Sequence, residues 1–344
     1  MTAPSTSVGI VVLSWNRRER LLACLSRLER LTGAAVTIVV VDNASSDGSV
    51  DAIRRDFPDV TLLPQATNLG FVGGVNAGLR EARRCGMKYA WLLNDDTLVD
   101  EDVLPKLVAF AAEHPHLSVF SPVIRDDDEQ RALQFANGIV DWDGSEVFGD
   151  LPEARFDALV AGGGTPVLIG TALLVDVGVI DSVEGFDPAF FAYWEDIDFC
   201  VRCAKAGFVS AVVPDATVLH DSPPLYTRPP HYFYYMIRNE AVFWSRHAKP
   251  GAAGWRRGWL ARALVWLGTA RDLRRDDVVR ACTDAIWDAL KRHVGQRDAT
   301  RAAPGWFARI LTSHPHLLVL LLQGKIGLIA RRLAGRNDRQ RPAG

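Results

Sequence analysis

The chain opens on a solid apolar run, Val8 to Leu13, which gives way to Ser14, Asn16 and a string of charges, and then to leucines at 21, 22, 25 and 28. A short β-branched and aliphatic run predicts a buried strand. Leucines recurring at helical spacing predict an amphipathic helix, with Asn16 as its cap. The pattern then repeats. Val36 to Val41 predicts a second strand, ending in the turn-and-cap cluster "DNASSDGS" ahead of a helix from near Val50. Val60 to Leu63 predicts a shorter strand, Gly74 to Cys85 a helix, and Tyr89 to Leu93 a further buried strand. Alternation of this kind predicts an α/β fold with a mostly parallel sheet and helices on both faces.

Further on, "SVFSPVI" reads as a strand, "NGIVDWDGSEVFGD" as a hairpin or loop, and "VLIGTALLVD" as another strand. "EGFDPAFFAYWEDIDFCVRCAKAGF" reads as an aromatic loop entering a helix, and "VSAVVPDATVLH" as a strand ending at His220.

Three of the early strands end in polar clusters, "SWN", "VDN" and "NDD". In open α/β sheets, ligands bind beyond the carboxyl ends of the strands, where helix N-termini also present free N–H groups. Asp95 and Asp96 have a bland reading as a solvated turn. At a strand end they also suit Mn²⁺ or Mg²⁺, whose other positions phosphate oxygens and water would fill. His220, at another strand end, offers an imidazole ligand or is a structural histidine. In "YWEDIDFC", Glu195, Asp196 and Asp198 either complement a helix dipole or supply a general base beside Tyr193 and Trp194, whose faces suit a sugar ring. The stretch "NLGFVGGVNAG", Asn68 to Gly78, lacks the spacing of a dinucleotide fingerprint, which opposes an NAD-dependent oxidoreductase. Close backbone approach to a ligand is the role it leaves for Gly73 and Gly74.

Composition narrows the picture. Of 344 residues 48% are hydrophobic, enough for a substantial core, and 39 Lys and Arg against 41 Asp and Glu leave a charge of −2, which gives no basic field for nucleic acid. Five cysteines suit a reducing cytosol, with Cys200 and Cys203 read as helix packing. No basic, cleavable leader opens the chain, and no apolar run reaches the roughly 18 residues of a membrane span. Near the end, Trp255, Trp259 and Trp266 share a helical face with Arg262. A segment "HLLVLLLQGKIGLIARRLAGR" follows, and Arg331, Arg332, Arg336, Arg339 and Arg341 lie in the tail. Such helices either lie on an anionic membrane or pack as a cap or a homodimer interface.

The motifs "VVLSWNRRERLLACLSRL", "IVVVDNASSDGS", "NLGFVGGVNAGLREA", "WLLNDDT", "FFAYWEDIDFCVRCAKAG" and "HYFYYMIRN", in this order over residues 7 to 247, resemble family 2 glycosyltransferases, in particular the rhamnosyltransferase-like and galactofuranosyltransferase-like branch. The resemblance implies a GT-A fold at 1–247, with a nucleotide-sugar half to about 125 and an acceptor half at 126–247, and a helical extension at 248–344. It implies an inverting, metal-dependent transfer from a UDP- or dTDP-sugar, rhamnose or another deoxysugar among them. The acceptor would be a lipid-linked cell-envelope glycan or a small natural product, and the site cytoplasmic or on the inner face of the cell membrane. It assigns Asp96 and His220 to the metal and Asp196 with neighbouring Glu195 to catalysis, beside which the aromatic faces of Tyr193 and Trp194 are read as the acceptor platform. Asn16, Asp42, Asn68, Gly73, Gly74, Asn76, Asn94 and Asp95 fall to the nucleotide-sugar. Arg238 and Asn239 match a family pair without an assigned role. A protein that binds nucleotide-sugars without catalysis is the remaining rival, and the intact Asp96, Asp196 and His220 set opposes it.

Overall fold

The computed structural model describes residues 6–251 and 254–322. The chain divides into two compact units, Met1–Pro223 and Pro224–Gly344.

The first unit begins as the hydrophobic pattern requires. Strand β1 (Ser7–Ser14), helix α1 (Arg18–Leu28), β2 (Ala35–Asp42), α2 (Ser49–Asp56), β3 (Thr61–Pro64), α3 (Gly70–Arg84) and β4 (Tyr89–Asn94) alternate; β1 and β4 are almost wholly buried, and β2 is buried over its second half. After β4 come β5 (Thr97–Leu98), α4 (Val103–Glu113), β6 (Leu117–Asp126), β7 (Leu133–Phe135), β8 (Gly138–Asp141) and β9 (Glu146–Gly149). They are followed by α5 (Glu153–Ala161), β10 (Thr165–Pro166), β11 (Ala172–Asp176), α6 (Val177–Val183), α7 (Glu195–Lys205) and β12 (Val209–His220).

The main sheet runs β3-β2-β1-β4-β11-β6-β12-β5, with β7 added beside β6, while β10-β8-β9 form a small second sheet. Pairing is parallel from β3 to β4 and between β6 and β12. β11 runs antiparallel between these two sets, so the sheet is mixed at its centre. This reversal departs from the purely alternating expectation, because period and hydrophobicity do not encode strand direction. Parallel register aligns Ser14 with Asp42 and Leu13 with Asn94, which brings the ends of β2, β1 and β4 to one edge.

Several local expectations are corrected. Asn16 does not cap α1: it takes a left-handed backbone (φ 53), and α1 starts two residues later without a side-chain cap. Helix α3 begins at Gly70 rather than Gly74, because Asn68 Oδ1 accepts the Gly70 N–H at 2.8 Å and Gly70 tolerates φ +72. The strand read in "VLIGTALLVD" contracts to β11. The glycines of α3 serve packing. A Cβ on Gly74 would lie 2.3 Å from Leu13 Cδ1, one on Gly78 would lie 2.1 Å from Val11 Cγ1, and one on Gly73 would meet Leu69 Cβ at 2.5 Å. Helix α3 thus lies directly on β1, and protein already fills the space reserved for a ligand beside Gly73 and Gly74. Cys200 and Cys203 are buried free thiols in α7, as packing predicts.

The second unit is helical among its described residues: α8 (Pro230–His247), α9 (Gly254–Asp272), α10 (Asp276–Leu290), α11 (Gly305–Ser313) and α12 (Pro315–Leu322). Helix α8 starts with Pro230 at its first position, where a missing N–H costs nothing. Trp255 and Trp259 are buried, and Trp259 Nε1 donates to the Ile237 carbonyl at 2.8 Å. Arg262 pairs with Glu240. The membrane reading of these two tryptophans is therefore corrected, since they pack the core of their own unit. No helix among the described residues is long and apolar enough to cross a membrane. The basic run Arg331 to Arg341 lies outside them.

Candidate active site

Strand β4 carries an apolar side chain at every core position up to Leu93 and then turns, so Asn94, Asp95 and Asp96 emerge together at the carboxyl edge. The chain then crosses to the sheet's far side. β5 pairs with the end of β12, Thr97 opposite His220, and this delivers His220 to the aspartates. His220 Nε2 lies 3.2 Å from Asp96 Oδ1. Ser14 Oγ, at the end of β1, donates to Asp95 Oδ2 at 2.7 Å. Arg17 Nη1 reaches both acids, Asp95 Oδ1 at 3.1 Å and Asp96 Oδ2 at 2.6 Å.

Gln134, on β7, orients the histidine. Its amide nitrogen donates to the His220 carbonyl at 2.8 Å and to Asp126, which leaves Oε1 to accept from His220 Nδ1 at 2.8 Å. The proton is thereby assigned to Nδ1, and Nε2 faces the carboxylate with its lone pair unless it too is protonated. A positive charge belongs between Nε2 and Asp96 Oδ1, either a proton or a metal ion. Two cis ligands on an octahedral ion with bonds of about 2.1 Å stand about 3 Å apart, so the 3.2 Å separation fits one. No group of three or more His, Cys, Asp or Glu among the described residues forms a fuller cage. Two protein ligands with phosphate and water completing the shell is the usual pattern for Mg²⁺.

The neighbouring acids titrate differently. Burial pushes Asp95 up to about 6 against the opposing pull of Arg17 and Ser14. Burial also works against ionised Asp96, but the hydrogen bond and charge of His220, with Arg17, hold its carboxyl below the ordinary value.

A second group forms around Asp42. One of its oxygens accepts the Ser45 N–H at 3.0 Å, while the other, Oδ1, is buried without a partner. The loops beside it are tied across the edge. Asn16 Oδ1 accepts from the Ser46 N–H at 2.8 Å, and Asn43 donates to Asn68 Oδ1 and the Gly70 carbonyl, both at 3.0 Å. Asn16, Asp42 and Asn68 therefore share one wall. Asn76 is turned elsewhere, its amide clamping the backbone of Phe186 at 2.8 and 2.9 Å.

The third group sits at the start of α7. Phe191, Tyr193 and Trp194 take left-handed backbones (φ 66, 66 and 70), a strained run that residues with a Cβ adopt only under tertiary constraint. The Phe191 carbonyl accepts the Val72 N–H at 3.1 Å, and its ring fills the space over Gly70. The strained turn places Glu195 and Asp196 on the first turn of α7. Asp196 accepts two backbone N–H groups, Gly170 at 2.9 Å and Ile197 at 2.8 Å. Thr171, next to Gly170, accepts the Asn94 N–H at 3.1 Å, so Asp196 is linked to the β4 edge through two adjacent residues. Burial raises both acids, Glu195 the more strongly because Asp196 adds its charge. Asp196 has N–H donors for its anion whereas Glu195 Oε2 is buried without a partner, so the proton belongs on Glu195.

Residues 9–182 match the sequence profile of the family described as Glycosyl transferase family 2. The chain belongs to that family. This family 2 glycosyltransferase is 29% identical over 230 residues, 61% of its length and 75% of the relative's, to an N-acetylglucosaminyl-diphospho-decaprenol L-rhamnosyltransferase of Mycobacterium tuberculosis. It is 28% identical over 217 residues, 62% of its length and 70% of the relative's, to a galactofuranosyltransferase of Mycolicibacterium smegmatis. Among solved structures, a mannosyltransferase of Pyrobaculum calidifontis in complex with GDP-Man and Mn²⁺ superposes with a TM-score of 0.52 at 18% identity, covering 94% of this chain and 87% of that one. S. aureus TarS gives 0.56 at 15% identity, covering 92% and 54%. These likenesses establish the GT-A fold of the glycosyltransferase.

The sequence pointed to Asp42, Asp96, Asp196 and His220 but not to Arg17, Gln134 and Gly170, which bond Asp95 and Asp96, His220, and Asp196 respectively. Only Arg17 lay inside a recognisable motif, and nothing distinguished it from the arginine beside it.

Proposed function

We propose that this glycosyltransferase moves a sugar from a UDP- or dTDP-sugar, of rhamnose type, to an acceptor hydroxyl with inversion, using Asp196 as general base and a divalent cation held by Asp96 and His220. The observation that carries the reading is the tie between Asp196 and the β4 edge through Gly170 and Thr171, which sets a carboxylate beside the Asn94–Asp96 turn.

Asp42, with an open buried oxygen at the end of β2, receives the nucleotide base, and Asn16 and Asn68 shape the same wall. Asn94 and Asp95 line the approach to the ribose and diphosphate. A bound Mn²⁺ or Mg²⁺ supplies positive charge to the departing diphosphate. Asp196 takes the proton of the acceptor hydroxyl as that oxygen attacks the anomeric carbon. Its elevated pKa suits a base that works near neutral pH. Glu195, holding its own proton, keeps a second negative charge out of the pocket. Tyr193 and Trp194, fixed by the strained turn, give the acceptor sugar a flat face. Domain limits at 1–247 and 248–344 belong to the same reading.

The likeness to the mycobacterial N-acetylglucosaminyl-diphospho-decaprenol L-rhamnosyltransferase supports a lipid-linked acceptor of the cell envelope. So does the surface of α11, where Trp306 and Ile310 stand 55% and 54% exposed beside the exposed Arg309. Exposed Trp with cations is the signature of a helix seated in a bilayer surface. Contact with the cytoplasmic face of a membrane follows from this reading.

The test is Asp196→Asn. Transfer measured by release of UDP or dTDP falls by about a thousandfold, the scale of a lost general base, while calorimetric binding of the nucleotide with Mn²⁺ is retained. Retained turnover in the variant would remove Asp196 from the mechanism.

A further inference from the structure

We propose that Arg17 is a built-in counter-ion of the donor site: it neutralises Asp95 and Asp96 while no donor is bound and transfers its guanidinium to the donor diphosphate when a divalent cation takes Asp96. The inference rests on the metal and nucleotide-sugar reading above and extends it to a side chain with no assigned role.

Two adjacent buried carboxylates repel each other, and a single guanidinium nitrogen bridges them. Arg17 Nη1 alone makes both bonds, at 2.6 Å to Asp96 Oδ2 and 3.1 Å to Asp95 Oδ1. Nε and Nη2 of Arg17 make no hydrogen bond among the described residues, and the side chain is 49% exposed. A guanidinium fork that is half open to solvent matches the paired oxygens of a phosphate far better than the one-nitrogen contact it makes here.

Its base is fixed while its head is not. Arg17 immediately precedes the first turn of α1, and Asn16, in the left-handed region, is bound on both sides to the Ser45–Ser46 turn. The side chain can therefore exchange partners without moving the backbone. Arg20, one turn on, lies 3.8 Å from Asp96 Oδ2 but is bonded to Asp221 at 2.6 Å, and it stays with Asp221 when Arg17 leaves.

The exchange follows from charge. A divalent cation held by Asp96 and His220 would cancel the negative charge that holds Arg17 and would repel its guanidinium. The diphosphate arriving with the ion then offers it new acceptors. Metal-free protein is protected from carboxylate repulsion, and metal and nucleotide are made to bind together.

The decisive experiment measures Mn²⁺ binding by the electron paramagnetic resonance of the free ion, in full-length protein without nucleotide, and then UDP and dTDP affinity at saturating Mn²⁺. In Arg17→Gln, nucleotide-free Mn²⁺ binding tightens about fivefold, because a competitor has gone. Nucleotide affinity weakens about tenfold, because a phosphate ligand has gone. Arg17→Lys falls between the two, and Arg20→Gln moves Mn²⁺ affinity less than Arg17→Gln does. Thermal melts establish that each variant is folded. Weaker or unchanged Mn²⁺ binding in folded Arg17→Gln overturns the proposal while leaving the metal site intact. Absence of Mn²⁺ binding in parent and variant alike overturns the metal reading, and the exchange with it.

Discussion

Among the described residues, the buried acids Asp284 and Asp288 of the second unit and those at the strand ends of the first are built on different plans. In the second unit, Asp288 accepts from Tyr234 Oη at 2.6 Å and His293 Nδ1 at 2.9 Å. Asp284 accepts from Arg297 at 2.5 Å and the Ala303 N–H at 2.8 Å. Every carboxylate oxygen there has a donor, and the donors come from the loop after α10 and from α8. In the first unit, Asp42 Oδ1 and Glu195 Oε2 are buried with none. Asp95 and Asp96 share a nitrogen from an arginine that is half in solvent. Buried charge alone does not mark a site. What marks it is hydrogen-bonding capacity left open toward one edge of a sheet, where a ligand can complete it.

The comparison breaks most sharply at Asp288. Asp288 accepts from Tyr234 and His293 in a buried cluster, and removing it strands both donors, so Asp288→Ala should cost about 3–5 kcal/mol in denaturant unfolding. If Asp288→Ala instead leaves stability untouched and abolishes turnover, the second cluster is functional and the contrast fails.

At Asp95 the expectation differs in size and in sign with pH. Its carboxyl is raised by burial to about 6 in the folded protein, so the native state binds more protons than the unfolded one between roughly pH 4 and 6. Its contribution therefore favours folding at the acid end of that window and is lost as pH rises through it. Asp95→Asn removes this term, and its stability relative to the parent should improve by about 2 kcal/mol from pH 4 to pH 7. A stability difference that is flat across the window would mean that Arg17 and Ser14 fully offset the burial.

How far the residues alone reveal this arrangement depends on the kind of signal each carries. β1, β2 and β4 are continuous apolar runs that stop abruptly at polar residues, so Asp42 and Asp96 could be placed at strand ends from pattern alone. His220 closes a long β-branched stretch and could be placed the same way. β5 is two residues long, too short to show any period, yet its pairing with β12 brings His220 to Asp96. Gln134 sits in the three-residue strand "LQF", with nothing to separate it from a surface glutamine. The direction of β11 was equally hidden, because alternation looks the same read either way. The glycines of α3 misled in a different way: "GFVGG" resembles a loop that makes room for a ligand, but the room at Gly74 is for Leu13 of β1, as that at Gly78 further on is for Val11.

The smallest effect lies on the outside of the second unit. Trp306 meets Trp287 edge-on at 6.2 Å, and Lys291 Nζ lies 4.7 Å from the Trp287 ring. Leu290 is 56% exposed alongside them. From 289 to 297 and from 304 to 313 the chain carries Lys291, Arg292, Arg297 and Arg309 and no acid. Apolar tips beside Lys291, Arg292 and Arg309 favour a bilayer of anionic lipid over water. Replacing Trp306 and Ile310 together by Ser should weaken flotation with phosphatidylglycerol vesicles about tenfold, a loss of about 1.4 kcal/mol from the apolar area withdrawn. Soluble-acceptor turnover should stay as it was. Equal binding by parent and variant would move any membrane contact away from α11, and binding to neutral phosphatidylcholine as strong as to phosphatidylglycerol would remove the cations from it.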